Sequence, residues 1–223
     1  MLDMQLLVQR KREELRQGVL QMGESVTAAL RKSIECLRRQ DLELARQIID
    51  EDRPINQQRR MLEQECLVVL AAYQPAGHDL REIGASRELV SELERIADHA
   101  ADVAQIVLDV GDETLPAEPM GRIAGIAGIA EEATAMVAAA LAAYRAGDAE
   151  EARTAAARDD AVDARERETI ENIISLMRED AEFSTAGTRM LWAVHHYERV
   201  ADRATNICER VIYAATGETP DLD

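Results

Sequence analysis

The amino-acid sequence predicts an all-α fold of two tandem three-helix bundles, and three observations lead there. ELERIADHAADVAQIV (Glu92 to Val107) recurs in altered form as HYERVADRATNICERV (His196 to Val211), with Glu94 matched by Glu198 and Asp98 by Asp202 at a constant offset of 104 residues. A segment stated twice in one chain is the signature of a structural unit built twice. Aromatic residues make up only 3% of the 223 residues and prolines number five, while Ala, Leu, Glu and Arg are abundant, a balance that favours helix over strand. Apolar residues recur at three- and four-residue spacing along segments long enough to be helices.

The elements follow in order. A first helix is expected from about residue 4 to 37, with Leu15, Val19, Met22, Val26, Ala29 and Ser33 along one side, broken at Gln40-Asp41. A second spans about 41–72 and ends at Tyr73-Gln74-Pro75-Ala76-Gly77, because proline and glycine do not continue a helix without cost. Pro54 lies inside it and should remove one helical hydrogen bond. A third spans about 79–110, closed by Gly111 and Pro116. The plan repeats at about 119–145, 148–179 and 184–216, with turns at Gly147 and across 182–187. The two repeats are therefore assigned to residues 1–112 and 113–223, each large enough for its own core at 47% hydrophobic content.

Charge excludes some functions. A formal net charge of −17 repels phosphate backbones and anionic leaflets, so neither nucleic acid nor lipid is an expected direct partner. No apolar run approaches the roughly 20 residues of a spanning helix. The N-terminal MLDMQLLVQRKREELRQ turns charged too early for a signal peptide, and the protein reads as cytoplasmic, meeting a membrane only through protein partners. Cys36, Cys66 and Cys208 are odd in number and set among apolar positions, which predicts buried thiols rather than disulfides or a zinc site.

The chemistry-bearing feature is a Glu-x-x-x-Asp pair in each repeat, Glu94/Asp98 and Glu198/Asp202. Leu93, Ile96, Ala100, Val103 and Val107 form the apolar side of the third helix, as do Val200, Ala204, Ile207 and Val211 on the sixth, and the carboxylates stack one turn apart beside that side. Two like charges at i and i+4 destabilise a helix by a few tenths of a kcal/mol, unless a cation sits between them. Oxygen-rich cation sites need ligands from more than one direction, and the preceding helices offer Asp52-x-x-x-Asn56 and Asp159-x-x-x-Asp163. Against this stands the plain alternative that acidic residues decorate a solvated helix face, to be weighed in a chain with 43 Asp and Glu. Repetition of the pair in the same helical setting counts against chance. A di-iron carboxylate oxidase would use Glu-x-x-His motifs, which are not found in the chain. No phosphate loop, G-x-S-x-G elbow or H-E-x-x-H motif is present, and no nucleophile can be assigned. His195-His196 adjoin Glu198, but Ser91-Glu92 stand at the equivalent place in the first half, so a symmetric site does not need them.

The stretches QPAGHDLREI (Gln74 to Ile83), LERIADHAADVA (Leu93 to Ala104), YERVADRATNICERVIYAATGE (Tyr197 to Glu218) and LRRQDLELARQIIDEDRPI (Leu37 to Ile55) together resemble the PhoU family of bacterial phosphate-uptake regulators over nearly the whole chain. That resemblance implies metal clusters held by paired acidic motifs. Carried over residue by residue, the first site uses Asp52, Glu94 and Asp98, and the second Asp159, Asp163, Glu198 and Asp202, with Asn56 departing from the acidic pattern. It implies iron or another divalent cation (magnesium, manganese, zinc or calcium) as cofactor. It also implies a homodimeric negative regulator of phosphate homeostasis that couples the phosphate ABC transporter ATPase to a sensor histidine kinase in two-component signalling. The expectation is thus a non-enzymatic adaptor. A metal-dependent phosphohydrolase and a purely structural helical scaffold are the alternatives; a phosphatase assay and elemental analysis, respectively, separate them from it.

Overall fold

The computed structural model describes residues 2–111 and 125–222. These form seven helices: α1 (Leu2–Arg39), α2 (Leu42–Tyr73), α3 (Gly77–Val110), α4 (Gly125–Ala146), α5 (Ala149–Ala156), α6 (Asp159–Glu179) and α7 (Ser184–Thr216). Helices α1 to α3 make one bundle and α4 to α7 the other, joined chiefly by α3 against α7 and by α1 against α4. The expected boundary at 112/113 and the expected start of the fourth helix at 119 lie outside the described residues.

The repeat extends well beyond the segment that first revealed it. Gln40 and Gly147, both left-handed at φ 51° and 66°, precede Asp41 and Asp148, 107 residues apart. Each aspartate caps the next helix by accepting hydrogen bonds from two backbone N–H groups, Glu43 and Leu44 in one copy, Glu150 and Glu151 in the other. At the same offset Ala45, Ile48, Ile55, Leu62, Cys66 and Val69 of α2 are buried, and so are Ala152, Ala155, Val162, Thr169, Ile173 and Leu176. Gly18 and Gly125 also correspond: a Cβ on Gly18 would collide with Leu62, and one on Gly125 with Thr169. Glycine in both places lets the first helix of each bundle approach the second at the same point.

The two α2-like segments differ in continuity. Helix α2 runs unbroken through Pro54. The single helix expected at 148–179 is instead divided at Ala157-Arg158, where hydrogen bonds from Arg158 N–H to the Ala155 carbonyl and from Ala161 N–H to the Arg158 carbonyl tighten the chain into three-residue turns. Arg158 leaves the helical face there to reach Glu132 of α4 at 2.8 Å. No proline or glycine announces this break.

Burial follows the predicted stripes. Leu93, Ile96, Ala100, Val103, Val107, Val200, Ala204, Ile207 and Val211 are all buried, which turns the carboxylates of α3 and α7 toward the flanking helices α2 and α6. Two hydroxyl pairs cross between the bundles, Ser33 with Tyr197 at 3.0 Å and Ser86 with Tyr144 at 2.6 Å, and they satisfy polar groups that burial would otherwise penalise. All three cysteines are buried, and burial raises each thiol pKa to about 12, as inert core thiols require.

One expectation about apolar runs is corrected. Helix α4 is long and apolar enough, by length and composition, to cross a membrane, with a mean hydropathy of 1.5 over its most apolar 18 residues. Alternation of small Ala and Gly with Ile, Val and Leu made it less conspicuous in the sequence. Ile126, Ile129, Ala133, Met136, Val137 and Ala140 are nevertheless buried, as a helix packed against α1, α6 and α7 demands.

Candidate metal centres

The first carboxylate group lies where α2 passes over α3. Asp52 projects from α2, and Glu94, Asp98 and Asp102 form a ladder at i, i+4 and i+8 on α3. The Asp98 carboxyl is raised to about 6, first by its partial burial and then by Glu94, Asp52 and Asp102, against a smaller opposing influence of Arg95. Asp52 is raised too, again chiefly by burial, with Asp102 adding to it. The Asn56 amide donates to Asp52 Oδ2 at 2.6 Å, whereas Asp52 Oδ1 is buried and has no hydrogen-bond donor. Arg59 Nε reaches Glu94 Oε1 at 3.1 Å and its Nη1 reaches Glu63 at 2.9 Å.

The second group lies where α6 passes over α7. Asp163 and Glu166 on α6 face Glu198 and Asp202 on α7, and Asp159 begins α6 one turn before Asp163. Glu198 is raised to about 7, by burial and then by Asp202, Glu166 and Asp163, with Arg199 opposing. Glu166 is raised by burial, Asp163 and Asp202. His195 Nδ1 approaches Glu198 Oε2 at 3.4 Å, and one ligating atom each of Glu166, His195 and Glu198 lies within 4.8 Å of the others. Arg199 Nη1 holds Asp202 Oδ2 at 2.7 Å.

The family model for the PhoU domain matches this chain twice, at residues 19–107 and 126–211. The chain belongs to the PhoU family. It is 33% identical over 215 residues to the phosphate-specific transport system accessory protein PhoU homolog of Streptococcus pneumoniae, covering 94% of this chain and 95% of that one. A Clostridium acetobutylicum protein of the same name is 30% identical over 212 residues, with 95% of each chain covered. Two crystal structures are similar throughout. The phosphate transport system regulatory protein PhoU from Streptococcus pneumoniae has a TM-score of 0.87 at 32% identity, covering 96% of this chain and 99% of that chain; PhoU from Pseudomonas aeruginosa has 0.85 at 31%, covering 94% and 99%.

The residues of both clefts suit a bound cation. Carboxylates crowd both clefts until some of them hold protons well above the ordinary carboxyl range, and a multivalent cation relieves that crowding directly. The buried Asp52 Oδ1 and Glu198 Oε2 have no hydrogen-bond donor, so each keeps lone pairs to offer. The oxygen donors of both clefts suit a hard cation such as magnesium, manganese or calcium, and iron as well, and His195 adds a nitrogen to the second. Of the residues expected from sequence, Asp52, Glu94 and Asp98 come together in the first cleft and Asp163, Glu198 and Asp202 in the second, with Asp159 one turn before Asp163 on the same helix.

The clefts also hold residues that sequence reasoning passed over. Asp102 and Glu166 join the predicted carboxylates, and both were within reach: Asp102 is four residues beyond Asp98, and Glu166 three beyond Asp163, on the same helix faces. Arg59 stands at the position equivalent to Glu166, so the first cleft carries its own cation where the second carries another carboxylate.

Proposed function

We propose that this PhoU-family protein is a metal-binding accessory regulator of phosphate-specific transport, acting as an adaptor that holds the uptake system and its kinase signal down when phosphate is plentiful. Near full-length similarity to proteins named as phosphate-specific transport accessory proteins carries this reading. The two clefts support its metal-binding part, with Asp52, Glu94, Asp98 and Asp102 available to one cation group and Asp159, Asp163, Glu166, Glu198 and Asp202 to the other. Iron or another hard divalent cation would neutralise each cleft and fix α2 on α3 and α6 on α7. The transporter ATPase and a sensor histidine kinase are the proposed partners, the protein acting as a cytoplasmic homodimer. A net charge of −17 agrees with reaching the membrane through proteins rather than lipid.

The deciding experiment is affinity purification of the full chain from phosphate-replete cells, scored for the transporter ATPase and a histidine kinase, together with phosphate uptake in cells lacking the protein. Co-purification of both partners and unrestrained uptake in the deletion strain are expected. Neither partner recovered and uptake unchanged would overturn the adaptor reading. Metal-dependent phosphatase activity lost in Glu198→Ala would replace it with an enzyme.

A further inference from the structure

The α3–α7 contact brings His99 of the first repeat against His196 of the second, with Nδ1 atoms 3.1 Å apart. Asp102 Oδ2 lies 3.6 Å from His196 Nδ1. One ligating atom from each of the three residues is within 4.8 Å of the other two. Neither carboxylate cleft is built from these two rings, and nothing in the proposed function uses them.

The internal repeat shows what is unusual here. At the 104-residue offset, His99 corresponds to Arg203 and His196 to Glu92. The α3–α7 contact therefore contains the same pairing twice: once as Glu92 with Arg203, at 3.4 Å, and once as His196 with His99. On one side an ion pair completes itself, with Asn206 also donating to Glu92 at 3.4 Å. On the other, two imidazoles meet nitrogen to nitrogen beside a carboxylate.

We propose that His99, His196 and Asp102 bind a borderline divalent metal of the zinc and cobalt class, cross-linking the two repeats at a site that shares only Asp102 with the first cleft. The geometry is that of shared coordination. Ligands about 2.0–2.1 Å from a tetrahedral ion lie roughly 3.3 Å apart, and the observed 3.1 and 3.6 Å bracket that edge. Two nitrogens and one oxygen select zinc, cobalt, nickel or copper over magnesium or calcium. Asp102 is 56% exposed, which leaves the fourth position open to water. Because one imidazole comes from each repeat, the ion ties α3 to α7. Asp102 also faces Asp52 and Asp98, so this ion would adjoin the first cleft.

The test uses the full chain stripped of metal and then held in excess magnesium, so that the oxygen clefts are saturated. Titration with Co2+ should give one equivalent of intense visible bands from a low-coordinate site, abolished by Zn2+, and Cu2+ should give an electron paramagnetic resonance spectrum split by two nitrogens. The double variant His99→Arg/His196→Glu copies the Arg203–Glu92 pair to this side of the contact and should lose both signals while its magnesium uptake by the second cleft is unchanged. His195→Gln should keep them. If the double variant does not fold, judged by circular dichroism, His99→Gln should reduce two nitrogens to one. Only weak six-coordinate cobalt bands in the wild type, a two-nitrogen signal that survives the double variant or His99→Gln, or one that vanishes in His195→Gln would overturn the site. Failure of magnesium uptake alone would count against the clefts and leave this site standing.

Discussion

The two clefts occupy equivalent places in the two repeats but are not electrostatically equal. The first sets Asn56 and Arg59 on α2 where the second sets Asp163 and Glu166 on α6. In the first, an amide binds one oxygen of Asp52 and a guanidinium meets Glu94, as Asn56 reaches Asp52 Oδ2 at 2.6 Å and Arg59 reaches Glu94 at 3.1 Å. In the second, carboxylates face carboxylates and Glu198 is driven to about 7. Duplication kept the scaffold and let the charge diverge: each cleft has an arginine on one of its carboxylates, Arg59 on Glu94 and Arg199 on Asp202, but only the second adds Asp163 and Glu166.

The most damaging way to test the shared scaffold is to put a charge into its seam. Leu93→Asp or Val200→Asp, each at a position 0% exposed, should cost more than about 4 kcal/mol and abolish the cooperative thermal transition, because an unpaired carboxylate there has neither water nor a partner. Unaltered melting of both variants would show that the seam is misassigned.

Next in size is the effect on metal binding proposed for the second cleft. Glu198→Ala/Asp202→Ala should remove metal from that cleft, measured by elemental analysis of protein purified without a metal-affinity tag, while circular dichroism stays helical because the deleted charges repel each other in the metal-free chain. Retention of full metal content would exclude these residues as ligands.

A smaller effect tests the crowding of the second cleft by pH. The folded-state pKa of Glu198 lies above the ordinary carboxyl value of 4.5, so its stabilising influence is complete below about 4.5 and is lost as pH rises through about 7. The metal-free protein should lose on the order of 2 kcal/mol across that window, the roughly 3 kcal/mol of the full shift being discounted for a partly solvated group. Urea denaturation should show the loss flattened in Glu198→Gln and offset by added divalent cation. A stability that climbs steadily from pH 4.5 to 7 in wild type and variant alike would contradict the crowding of this cleft.

The subtlest change concerns affinity alone. Calorimetric titration of the metal-free chain should reveal two unequal classes of site, and Asn56→Asp with Arg59→Glu should bring the first toward the second. Two equal classes in the wild type would dissolve the contrast.

Much of this was legible in the sequence, and the residues show why. The Glu-x-x-x-Asp pairs could be read because helical periodicity alone puts i and i+4 on one face, and Asp102 and Glu166 were accessible by the same rule one turn further on. Arg59 was harder, since its meaning depends on reaching Glu94 across two helices. The break at Ala157-Arg158 left no mark in composition, and the contact of Arg158 with Glu132 of another helix is visible only in the folded chain.

By itself the sequence determined the helices, their apolar stripes, the duplication and the acidic pairs, since each depends on residue type and on spacing along one helix or between two copies. Only the tertiary structure decided which helices cross. That crossing brought Arg59 onto Glu94, left Asp52 Oδ1 buried without a donor, and set His99 against His196 across 97 residues of chain. Local periodicity fixes the direction in which a side chain leaves its helix, whereas what it meets depends on the packing of helices far apart in sequence.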